Sequence, residues 1–117
     1  MPVQRGDVVL CRLPMPSTEL SRFKLRPAVV VSKNPNNQRL DDVIVAPCTS
    51  NILRSRGPTQ YLITGDQIAV TGVRVPSVVR CEALMTIPKT MIVRPLGHLP
   101  DSAMRELEGC LRNALDL

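Results

Sequence analysis

Short apolar runs rich in valine and isoleucine recur along this chain of 117 residues, and turn-forming residues separate them. The runs cover residues 7–13, 28–32, 42–47, 60–64, 73–81 and 91–96. β-branched residues in runs of this length, bounded by Gly, Pro or Asn, are typical of strands. Pro76 interrupts the fifth run, which favours an edge position there. The sequence therefore predicts a small barrel or sandwich of short strands, folded as one domain over residues 1–117.

The connections between these runs are polar, and the C-terminus has a different period. We expect an irregular connection over residues 14–26 and an asparagine-rich turn over residues 34–37. Beyond Pro100, apolar residues recur at three- and four-residue steps, which predicts an amphipathic helix from about residue 100 to the end. Gly109 lies inside this helix, where glycine costs ~1 kcal/mol, so we expect a close backbone contact there. The predicted class is mainly β with a C-terminal helix.

The composition excludes several kinds of protein. No stretch of ~18 apolar residues is present, so no segment is predicted to cross a membrane. The N-terminus lacks a secretory pattern, and we expect a cytoplasmic protein. The four cysteines show no C-x-x-C pair and are predicted to be free thiols, most of them buried, with no metal and no cofactor: Cys11, Cys48, Cys81 and Cys110.

The charge indicates a polyanionic partner. The net charge is +5, and arginine supplies twelve of the fifteen basic residues. A guanidinium group matches phosphate oxygens two at a time, which lysine cannot do. The only aromatic residues are Phe23 and Tyr61, so the chain cannot build the aromatic platform on which single-strand binders usually stack bases. A nucleic acid would have to be held by its backbone and by hydrogen bonds to its bases.

Polar residues stand at the ends of three apolar runs. Arg26 comes immediately before Pro27, which precedes the second run, and Thr49 and Ser50 follow the third. Arg80 lies at the end of the fifth run and Glu82 directly follows it, and a strand would point both to one face. Each feature also has an ordinary interpretation, because exposed ion pairs stabilise little and a lone threonine commonly forms turns.

Several motifs keep a consistent order over nearly the whole chain. They are Arg-Gly-Asp at residues 5–7, Arg26-Pro27 before a valine run, Pro47-x-Thr49-Ser50, Arg80-Cys-Glu82 followed by Thr86-Ile87 and Lys89, and Leu96-Gly97-x-Leu99 before the helix. This order and spacing resemble the MazF/PemK/Kid family of toxin endoribonucleases. The resemblance implies a small SH3-like barrel of the CcdB/PemK type and a homodimer. It also implies metal-independent cleavage of single-stranded RNA, and an antitoxin protein that covers the active face.

The resemblance also implies site residues. Arg26 and Thr49 match the pair prominent in some members, and Arg80 and Glu82 match the arginine–carboxylate pair prominent in others, with glutamate where Kid-like sequences have aspartate. We expect these four to be catalytic, with Glu82 taking the 2′ proton. The expected RNA contacts are Glu19, Lys24, Ser50, Arg54 and Arg56.

One departure and two alternatives accompany this interpretation. Between Pro14 and Arg26 there is neither glycine nor histidine, so no histidine can act as acid or base there. The sole histidine, His98, is expected to be structural. The alternatives are a CcdB-like toxin that binds a topoisomerase without catalysis, and a nucleic-acid-binding barrel that has no chemistry.

Overall fold

The computed structural model describes residues 2–14, 23–52 and 57–117. Seven strands and three helices lie in these ranges: β1 (Asp7–Pro14), β2 (Phe23–Val30), α1 (Asn34–Arg39), β3 (Asp42–Thr49), β4 (Gln60–Ile63), α2 (Gln67–Thr71), β5 (Ser77–Arg80), β6 (Met85–Pro88), β7 (Ile92–His98) and α3 (Asp101–Leu115). Two short 3₁₀ turns, Cys81–Ala83 and Lys89–Met91, flank β6. No helix in the described part of the chain is long and apolar enough to cross a membrane.

The strands form one antiparallel sheet in the order β4-β5-β3-β2-β1-β7, with β6 paired to β3. Strand β3 organises the sheet because its two halves have different neighbours. Its first half, from Asp42 to Val45, pairs with β6, while Cys48 and Thr49 pair with β5. The predicted SH3-like, CcdB/PemK-type fold with a C-terminal helix is confirmed, although the described strands do not close into a complete barrel.

Both faces of this sheet are buried over part of their area. One hydrophobic cluster joins the sheet to α3 and includes Val29, Ala46, Leu99 and Leu107. The second lies on the opposite face and includes Val9, Cys11, Leu13, Ala28, Val30, Val43 and Val45. Alternate residues of β1, β2 and β3 contribute to different clusters, as strand geometry requires. Burying a leucine or valine contributes roughly 1.5–3 kcal/mol, and these two clusters hold the strand ends in place.

The cysteines are free thiols, as predicted, and three of the four are buried. Burial raises the pKa of Cys48 to about 12 and that of Cys11 to about 11. Both therefore stay protonated and behave as small apolar residues.

The element boundaries differ from the sequence prediction in several places. Residues 34–39 form helix α1 rather than a turn, because Pro35 suits the first helical turn and the buried Asn37 side chain bonds back to Ser32. Helix α2 and strand β6 were not predicted, since each has only four or five residues and a weak pattern. The expected contact at Gly109 is wrong, because a Cβ there would meet nothing within 4 Å.

The close approach in this fold lies between α2 and β7. Gly72 ends α2 with φ +76°, a left-handed conformation that favours glycine. A Cβ on Gly97 would overlap the carbonyl oxygen of Val70. These two glycines therefore let α2 pack directly on the backbone of β7.

Candidate active site

A groove of about 400 Å³ opens where β3 leaves β2 and joins β5. Arg26, Thr49 and Arg80 line it, and they come from three separate strands. The remaining lining is mostly apolar: Leu13, Pro14, Pro47, Cys48, Asn51, Ala83 and Met85. The structure thus brings together three of the four residues that the sequence singled out as catalytic.

The pairing of β2 with β3 explains why Arg26 and Thr49 face the same groove. Ala28 pairs with Pro47, and Arg26 and Thr49 lie two residues beyond this pair on their respective strands. Alternate residues share a face, so both side chains lie on the face that carries the second hydrophobic cluster, at its open end. The sequence had suggested that Arg26 precedes its strand, and this is wrong. It is the fourth residue of β2 and pairs with Cys11 of β1.

Thr49 is the last residue of β3, not a residue beyond it. Its Oγ1 accepts a hydrogen bond of 3.2 Å from the backbone N–H of Asn51. Because this oxygen is the acceptor, its own proton stays available to donate into the groove.

The predicted pair of Arg80 and Glu82 is present, but the strand argument for it is wrong. Arg80 ends β5, whereas Glu82 lies in the 3₁₀ turn that follows. The turn still places the two side chains together, and Arg80 Nε donates to Glu82 Oε2 at 3.1 Å. Arg80 lines the groove, whereas Glu82 does not.

Glu82 also accepts hydrogen bonds from the start of β4. Gln60 Nε2 donates to Oε2 at 2.6 Å, and Thr59 Oγ1 donates to Oε1 at 3.1 Å. Partial burial on its own would raise the pKa of Glu82. Hydrogen bonds from Gln60, from the backbone, from Arg80 and from Thr59 outweigh that effect and lower this pKa below its ordinary value. Glu82 is therefore ionised at neutral pH.

Some residues with expected roles lie elsewhere. Lys24 and Ser50 are exposed near the groove but do not line it. Glu19, Arg54 and Arg56 lie outside the described residues. His98 ends β7, and its Nδ1 lies 2.9 Å from Asp7 Oδ1, which ties β7 to the start of β1.

Sequence reasoning missed four residues of this region: Asn51, Met85, Thr59 and Gln60. The signal for Gln60 was its position at the start of a predicted strand, but its pairing with Arg80 depends on a register that only the fold supplies. Within the described ranges, no three His, Cys, Asp or Glu residues cluster in a way that could hold a metal ion.

Comparison with known proteins identifies the family. Residues 4–115 match the model of the PemK-like, MazF-like toxin of type II toxin–antitoxin systems. The chain is 33% identical to Endoribonuclease MazF2 of Mycobacterium bovis and to Endoribonuclease MazF6 of Mycobacterium tuberculosis, and each alignment covers 100% of both chains.

Solved structures agree with this assignment. The Mycobacterium tuberculosis toxin MazF-mt6 superposes with a TM-score of 0.77 at 28% identity, covering 95% of this chain and 97% of that one. An endoribonuclease in complex with its cognate antitoxin from Mycobacterial species shares the fold, with a TM-score of 0.77 at 23% identity and coverage of 98% and 96%. This chain therefore belongs to the PemK-like, MazF-like toxin family of type II toxin–antitoxin systems.

Proposed function

We propose that this toxin is a metal-independent endoribonuclease that cleaves single-stranded RNA and thereby inhibits translation. The observation that carries the proposal is the convergence of Arg26, Thr49 and Arg80 on one groove. Two guanidinium groups and a hydroxyl donor form an environment suited to a phosphate that gains negative charge during reaction. The names of the full-length relatives, endoribonucleases MazF2 and MazF6, support the same reaction class.

The proposed reaction uses the 2′ hydroxyl of the RNA as its nucleophile. The 2′ O–H bond breaks, the 2′ oxygen bonds to the adjacent phosphorus, and a five-coordinate, doubly charged phosphorane forms. The bond from phosphorus to the 5′ oxygen then breaks, and that oxygen takes a proton, ultimately from solvent. The products are a 2′,3′-cyclic phosphate and a free 5′ hydroxyl. DNA lacks the 2′ hydroxyl, so it would bind without being cut.

The groove residues divide the work in this scheme. Arg26 and Arg80 stabilise the phosphorane charge, a contribution worth roughly 3 kcal/mol for each such contact. Thr49 donates its free proton to a phosphate oxygen. Two groups are available to take the 2′ proton, hydroxide from solvent and the carboxylate of Glu82.

The groove wall suits an unpaired nucleotide. Leu13, Pro47 and Met85 offer apolar contact to the face of a base, in place of the aromatic rings that the chain lacks. The amide of Asn51 can both donate to and accept from a base edge. We also propose RNA contacts from Lys24, Ser50, Glu19, Arg54 and Arg56.

The proposed partners follow from membership of a toxin–antitoxin family. A cognate antitoxin protein would neutralise the toxin by covering the groove, and we propose that the toxin acts as a homodimer. The toxin would act in the cytoplasm, where both the messenger RNA and the antitoxin are made.

The test is cleavage of a mixed-sequence single-stranded RNA in EDTA, with mass-spectrometric mapping of the ends. We expect cyclic-phosphate ends with the wild type, and a loss of about 100-fold or more with Arg26→Ala and with Arg80→Ala. Arg105→Ala, which removes the same charge from the exposed side of α3, is the matched control and should cut normally. Uncut RNA combined with inhibition of a topoisomerase would overturn the proposal in favour of a CcdB-like toxin.

A further inference from the structure

Three side chains converge on the carboxylate of Glu82. Glu82 Oε2 accepts hydrogen bonds from Arg80 Nε and Gln60 Nε2, and Oε1 accepts one from Thr59 Oγ1. The fold brings these donors together because Gln60 pairs with Arg80 across β4 and β5. Glu82 is thus joined to two strands at once.

The orientation of the Gln60 amide shows that this arrangement constrains its members. Gln60 Oε1 is buried and has no hydrogen-bond partner in the described part of the chain. A flipped amide would turn that oxygen toward the Glu82 carboxylate, where two acceptors would face each other. Buried acceptors without a partner are rare and require a specific explanation. Here the hydrogen bond from Gln60 Nε2 to Glu82 explains why the amide keeps an orientation that leaves Oε1 without a partner.

The contact with Glu82 uses only one nitrogen of the Arg80 guanidinium. Glu82 binds Nε, and among the described residues the two terminal nitrogens, a planar fork suited to phosphate, make no hydrogen bond and are available to the groove that Arg80 lines. A side chain held at Nε cannot sample other rotamers without breaking a charge-assisted bond.

We infer that Glu82, Gln60 and Thr59 are positioning residues that aim Arg80 at the scissile phosphate, and that Glu82 does not take the 2′ proton. This inference rests on the proposed function. The carboxylate is held by three donors, and it does not line the groove. The 2′ proton then passes to hydroxide, giving water, as the 2′ oxygen bonds to phosphorus.

The two roles of Glu82 predict different dependences of rate on pH. A carboxylate base that is ionised throughout would give a flat single-turnover rate between pH 5.5 and 8, whereas hydroxide as base gives a rate that rises about tenfold per pH unit. Arg80 contacts Glu82 directly, and Cys81 precedes Glu82 in the 3₁₀ turn. Helix α3 packs on this turn and places Cys110 near Cys81. Burial raises the pKa of Cys81 to about 12 and also raises the pKa of Cys110, so neither thiol obscures the profile.

The experiment measures single-turnover cleavage against pH at saturating RNA, together with solvent exchange of the Arg80 Nε proton by NMR. The variants are Glu82→Gln, Gln60→Leu and Thr59→Val, with Gln38→Leu on the exposed side of α1 as the matched control. We expect a slope of one in the wild type. We also expect Glu82→Gln and Gln60→Leu to lower the rate roughly 10- to 100-fold with the slope unchanged, and the Arg80 Nε proton to exchange faster in both.

A flat wild-type profile that acquires a slope of one in Glu82→Gln would make Glu82 the base and overturn the inference. Gln60→Leu with wild-type rate and wild-type exchange would overturn the positioning role. Failure of the proposed function gives a different result: the wild type leaves RNA intact while the Arg80 Nε proton stays protected and loses that protection in Glu82→Gln.

Discussion

The two ends of β3 carry two polar clusters that look alike in sequence and differ in what they offer to a ligand. Near its first residues, the buried side chains of Ser32 and Asn37 bond to each other and to neighbouring backbone, and Ser32 Oγ accepts from Ile44 N at 3.1 Å. Lys89 Nζ reaches in to donate to Asn37 O. At the other end of the strand, Thr49 and its neighbours line an open groove.

The difference lies in where the hydrogen-bonding capacity points. Asn37 is 2% exposed and Ser32 is 7% exposed, and their donors and acceptors are used within the fold. Such a network stabilises the structure and offers nothing to a partner. At the groove, the hydroxyl proton of Thr49 and the terminal nitrogens of Arg80 have no partner among the described residues and can bind a phosphate. Polar residues at strand ends therefore indicate a site only when their capacity is left open toward a cavity.

The largest effect that would test this contrast is expected for Arg26→Ala. Loss of a guanidinium that stabilises the phosphorane should lower the cleavage rate about 100-fold, equivalent to ~3 kcal/mol of transition-state stabilisation. Urea unfolding should change by less than about 0.5 kcal/mol, since Arg26 contributes its polar atoms to the groove and not to the core. Arg26→Lys should recover only part of the rate, because lysine lacks the fork. A large fall in stability would place Arg26 among the structural residues instead.

The opposite pattern is expected at the other end of β3. Asn37→Ala leaves the backbone carbonyl and hydroxyl of Ser32 without their partner, which should lower the free energy of unfolding by roughly 2–3 kcal/mol in urea titrations. Below the unfolding transition the rate of RNA cleavage should stay within about twofold of wild type. Asn36→Ala on the same helix, where the side chain is less buried, is the control. A cleavage defect in folded Asn37→Ala would remove the distinction between the two ends.

How much of this contrast could be predicted depended on how far apart in the sequence the interacting residues lie. Valine runs and the helical period of α3 are local patterns, and they indicated most of the strands and the final helix. The sequence also indicated Arg26, Thr49 and Arg80 as site residues. Their convergence on one groove, however, depends on the registers of β2 with β3 and of β3 with β5. The sequence predicted a turn at Asn37 and did not indicate its burial. The network of Asn37 joins Ser32 and Lys89, and Lys89 is 52 residues away along the chain. No local pattern reports such a contact.

A smaller effect should separate the two functions of Thr49. Thr49→Val keeps the shape of the side chain and removes its proton donor, so cleavage should slow about tenfold, or ~1.4 kcal/mol. Thr49→Ser keeps the hydroxyl and should cleave within about threefold of wild type. Single-turnover rates distinguish these outcomes. If both variants cut normally, the hydroxyl only accepts the hydrogen bond from Asn51 N. It would then resemble Ser32 and Asn37, whose hydrogen bonds are made within the fold.

The smallest effect concerns the pH dependence of stability. The folded pKa of Glu82 is lowered, so its ionised form stabilises the fold above the ordinary carboxylate pKa, and that contribution is lost as the pH falls through the folded value. The difference in unfolding free energy between wild type and Glu82→Gln should therefore be larger at pH 7 than at pH 3. Its size should stay below about 1 kcal/mol, because the Arg80–Glu82 pair is about one-third exposed and screened by solvent. Asp41→Asn, at the other end of β3, controls for the loss of a surface charge. If the difference is the same at both pH values, the donors around Glu82 bind its protonated form as tightly as its ionised form. Packing, and not the ion pair with Glu82, would then position Arg80.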